Sequence, residues 1–91
     1  MKSKKNPILL TFGSTVRTLR LKKSLTQRAL AERSGLDVTY ISGIERAVRN
    51  PSLKSLESLA KGLGCPIATM FKALDKINLE QCLPKKAKRK G

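Results

Sequence analysis

Side chains able to do covalent or metal chemistry are scarce in this sequence. It has no histidine, which removes the commonest general base and metal ligand. Cys65 and Cys82 stand seventeen positions apart with no other cysteine between or around them, so no zinc-binding spacing exists. In a reducing compartment both read as small apolar fillers rather than as a disulfide. The carboxylates Glu32, Asp37, Glu45, Glu57, Asp75 and Glu80 form no close pair suited to acid–base work. Neither a phosphate-cradling glycine loop nor a G-x-S-x-G elbow is present. This inventory argues against an enzyme, and no cofactor or metal is expected. What the chain has in abundance is positive charge. Its 91 residues carry 20 Lys+Arg against 6 Asp+Glu, a formal net charge of +14. That balance favours a polyanionic partner.

The charge is unevenly spread. Residues 1–10 carry Lys2, Lys4 and Lys5 with no acid, and residues 11–50 carry eight basic and three acidic side chains. Residues 51–80 are nearly balanced, whereas residues 81–91 add five cations and no acid. The last block, Pro84 to Gly91, has no periodicity and reads as a basic tail, either merely solvated or adding phosphate contacts. The chain length suits one small domain, and hydrophobic residues, 40% of the chain, suffice for a core. No apolar run approaches the ~18–20 residues of a membrane span. The short stretch from Ile8 to Phe12 is too brief for a signal-peptide core, so a cytoplasmic location is expected.

The elements that would position functional groups are helices. Phe12, Val16 and Leu19 recur at helical spacing, predicting a helix over about 11–23 with Thr11 as N-cap and Lys22 and Lys23 in its last turn. Thr26 caps a second helix from Gln27 to about Arg33, with Leu30 and Ala31 facing inward, and Gly35 ends it. Asp37 caps a third, from Val38 to about Arg46, whose Ile41 and Ile44 face the core. Asn50-Pro51-Ser52 breaks the chain, and Ser52 caps a fourth with the stripe Leu53, Leu56, Leu59, Ala60 and Leu63, stopped by Gly64. Pro66 suits the first position of a fifth helix, along which Ile67, Met70, Phe71 and Leu74 repeat. Ile77 to Leu79 offers a short extended piece. The expected fold is an all-α, compact five-helix domain over 11–74, between a basic arm (1–10) and a C-terminal extension (75–91).

Residues 27–46 carry a further pattern. Ala31 is small at its fifth position, Gly35 stands at its ninth, and Leu30, Leu36, Ile41 and Ile44 are aliphatic at its fourth, tenth, fifteenth and eighteenth. Two helices meeting at ~90–120° across a short turn need a small residue at their contact, glycine at the reversal and aliphatics beneath. That is a helix-turn-helix, whose second helix docks in the DNA major groove. The segment from about Thr11 to Phe71 resembles the Cro/cI-type (xenobiotic-response-element, XRE) helix-turn-helix regulators. The resemblance rests on Phe12-Gly13, Leu19-Arg20, Leu25-Thr26-Gln27, Leu30-Ala31, Gly35, Ile41-Ser42, Ile44-Glu45, Asn50-Pro51-Ser52 and Leu56-x-x-Leu59-Ala60-x-x-Leu63. Within that family, Tyr40 to Arg46 followed by Arg49-Asn50-Pro51 is most similar to the controller proteins of restriction–modification systems.

The resemblance implies roles by position. Gln27 matches the glutamine that braces a phosphate and the recognition helix. Val38, Thr39, Ser42 and Gly43 fall at base-reading positions, where Thr39 and Ser42 suit hydrogen bonds to base edges and Val38 suits a thymine methyl. Gly43 departs from the pattern because it has no side chain to read with. Tyr40, Arg46, Asn50, Ser52 and Lys54 suit the flanking phosphate backbone. Arg20 and Glu45 match a buried ion pair joining the first and third helices. The implied function is a sequence-specific transcriptional regulator that binds double-stranded operator DNA as a homodimer, with residues Ile67 to Leu83 as the dimer candidate. The alternative is an antitoxin or adaptor that holds a protein partner and autoregulates its operon. An RNA-binding protein is less well supported, because aromatic stacking platforms are missing.

Overall fold

The computed structural model describes residues 6–72 and residue 74. The first five residues, the Ile77–Leu79 segment, Cys82 and the basic tail lie outside the described residues. Five helices follow in order: α1 (Pro7–Lys22), α2 (Gln27–Ser34), α3 (Val38–Glu45), α4 (Leu53–Leu63) and α5 (Ile67–Phe71), with no strand among the described residues.

Each boundary has a local cause. The side chains of Thr26, Asp37 and Ser52 accept from the backbone N–H of Ala29, Thr39 and Ser55 at 2.9, 3.0 and 3.1 Å, satisfying donors that the first helical turn leaves open. At the far ends of α2 and α4, Gly35 and Gly64 take positive φ, 78° and 69°, a conformation that costs any residue with a Cβ. The first helix begins earlier than its apolar spacing suggests. Asn6 Oδ1 accepts from the Ile8 N–H at 2.9 Å and Pro7 opens the helix, so residues 7–10 of the expected arm belong to α1, and Thr11 is interior rather than a cap. The periodic signal starts only at Phe12 because the first turn is largely exposed: Ile8 and Leu10 keep 45% and 48% of their surface. Pro66 sits one position outside α5, as its N-cap residue.

The core draws on every helix. Phe12 and Val16 of α1, Leu30 of α2, Ile41 and Ile44 of α3, Leu59, Ala60 and Leu63 of α4 and Met70 of α5 form one buried cluster, and Phe12 meets Phe71 with ring centroids 6.0 Å apart. Leu53, expected in the α4 stripe, is instead 76% exposed at the first position of that helix. Helices α2 and α4 pack closely at Gly62, where a Cβ would stand 2.9 Å from Leu30 Cδ1 and 3.0 Å from Ser34 Cβ. Arg33 Nε donates to the Gly62 carbonyl at 2.6 Å, tying the end of α2 to the last turn of α4.

Candidate nucleic-acid interface

Helix α3 is eight residues long, and at about 100° per residue its sequence sorts into two faces. Ile41 and Ile44 point into the core and are buried. On the opposite side Val38, Thr39, Ser42 and the C-cap residue Arg46 fall within an arc of about 100°. Val38, Thr39 and Arg46 are exposed and Ser42 is half-buried. Ser42 Oγ accepts from Arg46 Nε at 3.3 Å, which leaves the serine proton free to donate elsewhere. The helix therefore presents a methyl-bearing residue, two hydroxyls and a guanidinium together, a set able to meet base edges and phosphate.

This face needs a fixed tilt, and three side chains from three elements supply it. Arg20 of α1 forks onto Glu45 of α3, Nε to Oε2 at 2.7 Å and Nη2 to Oε1 at 3.0 Å. The pair is nearly dry, with side-chain exposures of 7% and 3%. Gln27 of α2 adds its Nε2 to Glu45 Oε1 at 3.0 Å, and Arg20 Nη1 donates to the Leu25 carbonyl at 2.8 Å. The guanidinium is held above its ordinary pKa, first by the hydrogen bond to Glu45, with burial opposing and the carboxylate charge adding. Gly13 completes the junction. A Cβ there would collide with the Ile44 carbonyl oxygen and stand 2.8 Å from that of Glu45, so α1 approaches the end of α3 backbone to backbone. In the sequence Gly13 is one letter of the family pattern; in the structure its role is steric.

The flank beside the helix is polar. Tyr40 is half-buried, and its hydroxyl oxygen accepts from the Ser52 N–H at 3.4 Å, placing the phenol against the opening of α4. Asn50 and Lys54 are exposed on either side of that opening. Ser52 is exposed as well, but its hydroxyl is already committed, accepting from the Ser55 N–H and donating to Ser55 Oγ at 2.9 Å. An anion at this point would meet backbone N–H groups rather than the serine side chain.

Two positions depart from the sequence reading. Gly43 belongs to the α3 face by spacing, yet it is buried, because the side chain of Arg49 lies across it. It is not an open position on the reading face. The interface expected from sequence does not include Arg49, although it is exposed and its guanidinium carbon lies 6.0 Å from the Tyr40 ring centroid. The available signal was the glycine: an otherwise exposed helical position with no side chain invites something to cross it. Among the described residues no group of three or more His, Cys, Asp or Glu could hold a metal ion, and no helix is long and apolar enough to cross a membrane.

Comparison with known proteins agrees with this geometry. The helix-turn-helix family profile matches residues 16–70. The chain is 39% identical over 72 residues to control protein C.MunI of a Mycoplasma species, covering 78% of this chain and 97% of that one. This chain belongs to the helix-turn-helix controller-protein family. Control protein C.BamHI of Bacillus amyloliquefaciens is 50% identical over 60 residues, 65% of this chain and 74% of that relative. Among solved structures, the wild-type restriction–modification controller protein C.Esp1396I superposes with a TM-score of 0.73 at 43% identity, covering 79% of this chain and 95% of its own. As a member of this family the chain is an XRE-type regulator in fold and in sequence. The buried tie from Arg20 and Gln27 to Glu45 is what holds its α3 outward.

Proposed function

We infer that this protein is a transcriptional regulator that binds operator DNA as a homodimer, with α3 in the major groove and the opening of α4 against the backbone. The observation that carries the reading is the outward arc Val38–Thr39–Ser42–Arg46, backed by the dry Arg20–Glu45 pair and by Gln27 bonded to it. The similar controller protein C.Esp1396I has been solved as a tetramer on its natural 35 base-pair operator. Within the inferred interface Thr39 and Ser42 read base edges, while Tyr40, Arg46, Arg49, Asn50, Lys54 and the backbone near Ser52 contact phosphates. Gln27 acts from behind, bracing α3 through Glu45. In the same reading the protein works in the cytoplasm, and it has no catalytic activity.

Solved variants of C.Esp1396I replace an arginine, a threonine and a tyrosine at consecutive positions, and a second arginine nine residues beyond the tyrosine. Thr39, Tyr40 and Arg49 repeat that spacing here, but Val38 stands where the first arginine would. An arginine suits a guanine edge, whereas a valine suits a thymine methyl. The preferred half-site should therefore differ from that of C.Esp1396I at the base pair under Val38. Titrating the purified protein against its own upstream DNA at several salt concentrations tests the inference. Affinity should fall with a log–log slope of about −0.9 per phosphate neutralised. Binding that barely changes between 50 and 200 mM salt, taken as roughly the range over which such contacts are lost, would contradict it.

A further inference from the structure

We propose that Gly43 is a positioning residue: it forms the seat that lays Arg49 along the edge of the reading face of α3. The proposal rests on the DNA-binding role inferred above, and it concerns how one cation of that interface is placed. Glycine inside an eight-residue helix is unfavourable relative to alanine, so its presence needs a reason. Conformation is not that reason. Gly43 is helical, and the positive-φ glycines of the described residues are Gly35 and Gly64.

The reason lies in how α3 ends. Ala47 takes a left-handed conformation, φ 64°. The Ala47 N–H reaches the Ile44 carbonyl at 3.0 Å and the Val48 N–H reaches the Gly43 carbonyl at 2.9 Å. These are the two hydrogen bonds of a Schellman motif. The Arg49 N–H adds a third bond to the same Gly43 oxygen at 3.2 Å. The chain is thus folded back upon the helix it has just left, and the next side chain must cross the surface of α3. Arg49 does so directly over Gly43. A Cβ at that position would collide with Arg49 Cγ and stand 3.4 and 3.5 Å from its Nε and Cβ. Beyond the glycine the guanidinium reaches Tyr40, one turn earlier on the same flank, with its carbon 6.0 Å from the ring centroid. That range allows cation–π attraction. All three nearest atoms to the missing Cβ belong to the Arg49 side chain. Adding a methyl group therefore displaces the arginine while leaving the core untouched.

The test is a double-mutant cycle on Gly43→Ala, Arg49→Ala and the two combined. Three quantities are read: binding to DNA selected by the wild-type protein, thermal melting, and the nuclear magnetic resonance signals of Arg49 in the free protein. In wild-type protein the Arg49 side-chain protons should show nuclear Overhauser contacts to the Gly43 α-protons and an upfield shift from the Tyr40 ring. Gly43→Ala should abolish both while melting no lower than wild type. Each single variant should weaken binding on the order of tenfold and lower the salt slope by about one, and the double variant should be no weaker than either single. The proposal is overturned if Gly43→Ala binds like wild type, if the two effects multiply, or if the wild-type contacts to Gly43 are not seen. A wild-type protein that selects no sequence defeats the DNA-binding reading instead. That failure is separate, because the resonance measurement reads the seat without DNA.

Discussion

Replacing Glu45 with glutamine keeps the shape of the junction behind α3 and removes its charge. The Glu45 carboxylate accepts three N–H groups, two from Arg20 and one from Gln27, at 2.7, 3.0 and 3.0 Å. A glutamine there offers one acceptor oxygen and one donor nitrogen, so at least one of those N–H groups meets a donor. The Arg20 guanidinium, with 7% of its side chain exposed, is left without a counter-charge. Removing one member of a buried ion pair costs roughly 3–5 kcal/mol. Arg20 keeps its bond to the Leu25 carbonyl, so the low end, about 3 kcal/mol, is expected. For a domain of this size that corresponds to a melting temperature lower by about 12–24 °C. Replacing both partners by apolar side chains, Arg20→Met with Glu45→Leu, removes the stranded charge. The double variant should therefore be more stable than Glu45→Leu alone by at least about 1 kcal/mol. Urea unfolding followed by far-ultraviolet circular dichroism measures all of these, with an unchanged m-value showing that the folded state is the same. A Glu45→Gln variant within about 1 kcal/mol of wild type, or a double variant no better than Glu45→Leu, would refute the argument.

Three further outcomes follow from single features. Gly35→Ala places a methyl group in open space, with nothing within 4 Å, but at φ 78°; it should lose about 1 kcal/mol in thermal unfolding through backbone strain alone, and an unchanged melting temperature would contradict that. Burial pushes the Cys65 thiol above its ordinary pKa, against a smaller opposing pull from Lys23. In a Cys82→Ser background Cys65 should therefore be less thiolate than a free thiol at pH 7.5, a pH chosen as roughly one unit below the free value. It should alkylate more slowly than a small-molecule thiol and speed up only as the pH rises through the raised value; faster alkylation would overturn this. Removing residues 84–91, which carry five cations and no acid, should lower DNA affinity and salt slope without changing the preferred sequence, whereas a shifted preference would mean that the tail reads a groove.

Most of the fold was legible because its punctuation is local. The caps at Thr26, Asp37 and Ser52 and the reversals at Gly35 and Gly64 each involve a residue and its near neighbours, and the apolar spacing of Ile41, Ile44, Leu59 and Leu63 marks the buried face directly. The start of α1 escaped because an exposed first turn carries no apolar period, even though Asn6-Pro7 is a sound capping signal. The ion pair from Arg20 to Glu45 could be named only through the family resemblance, since 25 residues separate its partners. Gly13 escaped for a similar reason: the carbonyl oxygens that exclude a side chain there come from the distant end of α3. At Gly43 the obstacle was different. Covering it requires a left-handed turn at Ala47, a residue type that sequence reasoning does not place in that conformation. Without that turn Arg49 has no visible reason to return to α3.

Selection of bound sites from random DNA tests most directly whether the Val38–Thr39–Ser42 arc reads bases. Wild-type protein should enrich two half-sites related by a dyad and spaced by about one helical turn, 10–10.5 base pairs. The Thr39→Ala/Ser42→Ala double variant should stay folded and relax preference at discrete positions within each half-site. Wild-type and variant proteins returning the same site profile would contradict the assignment of α3 as the reading helix.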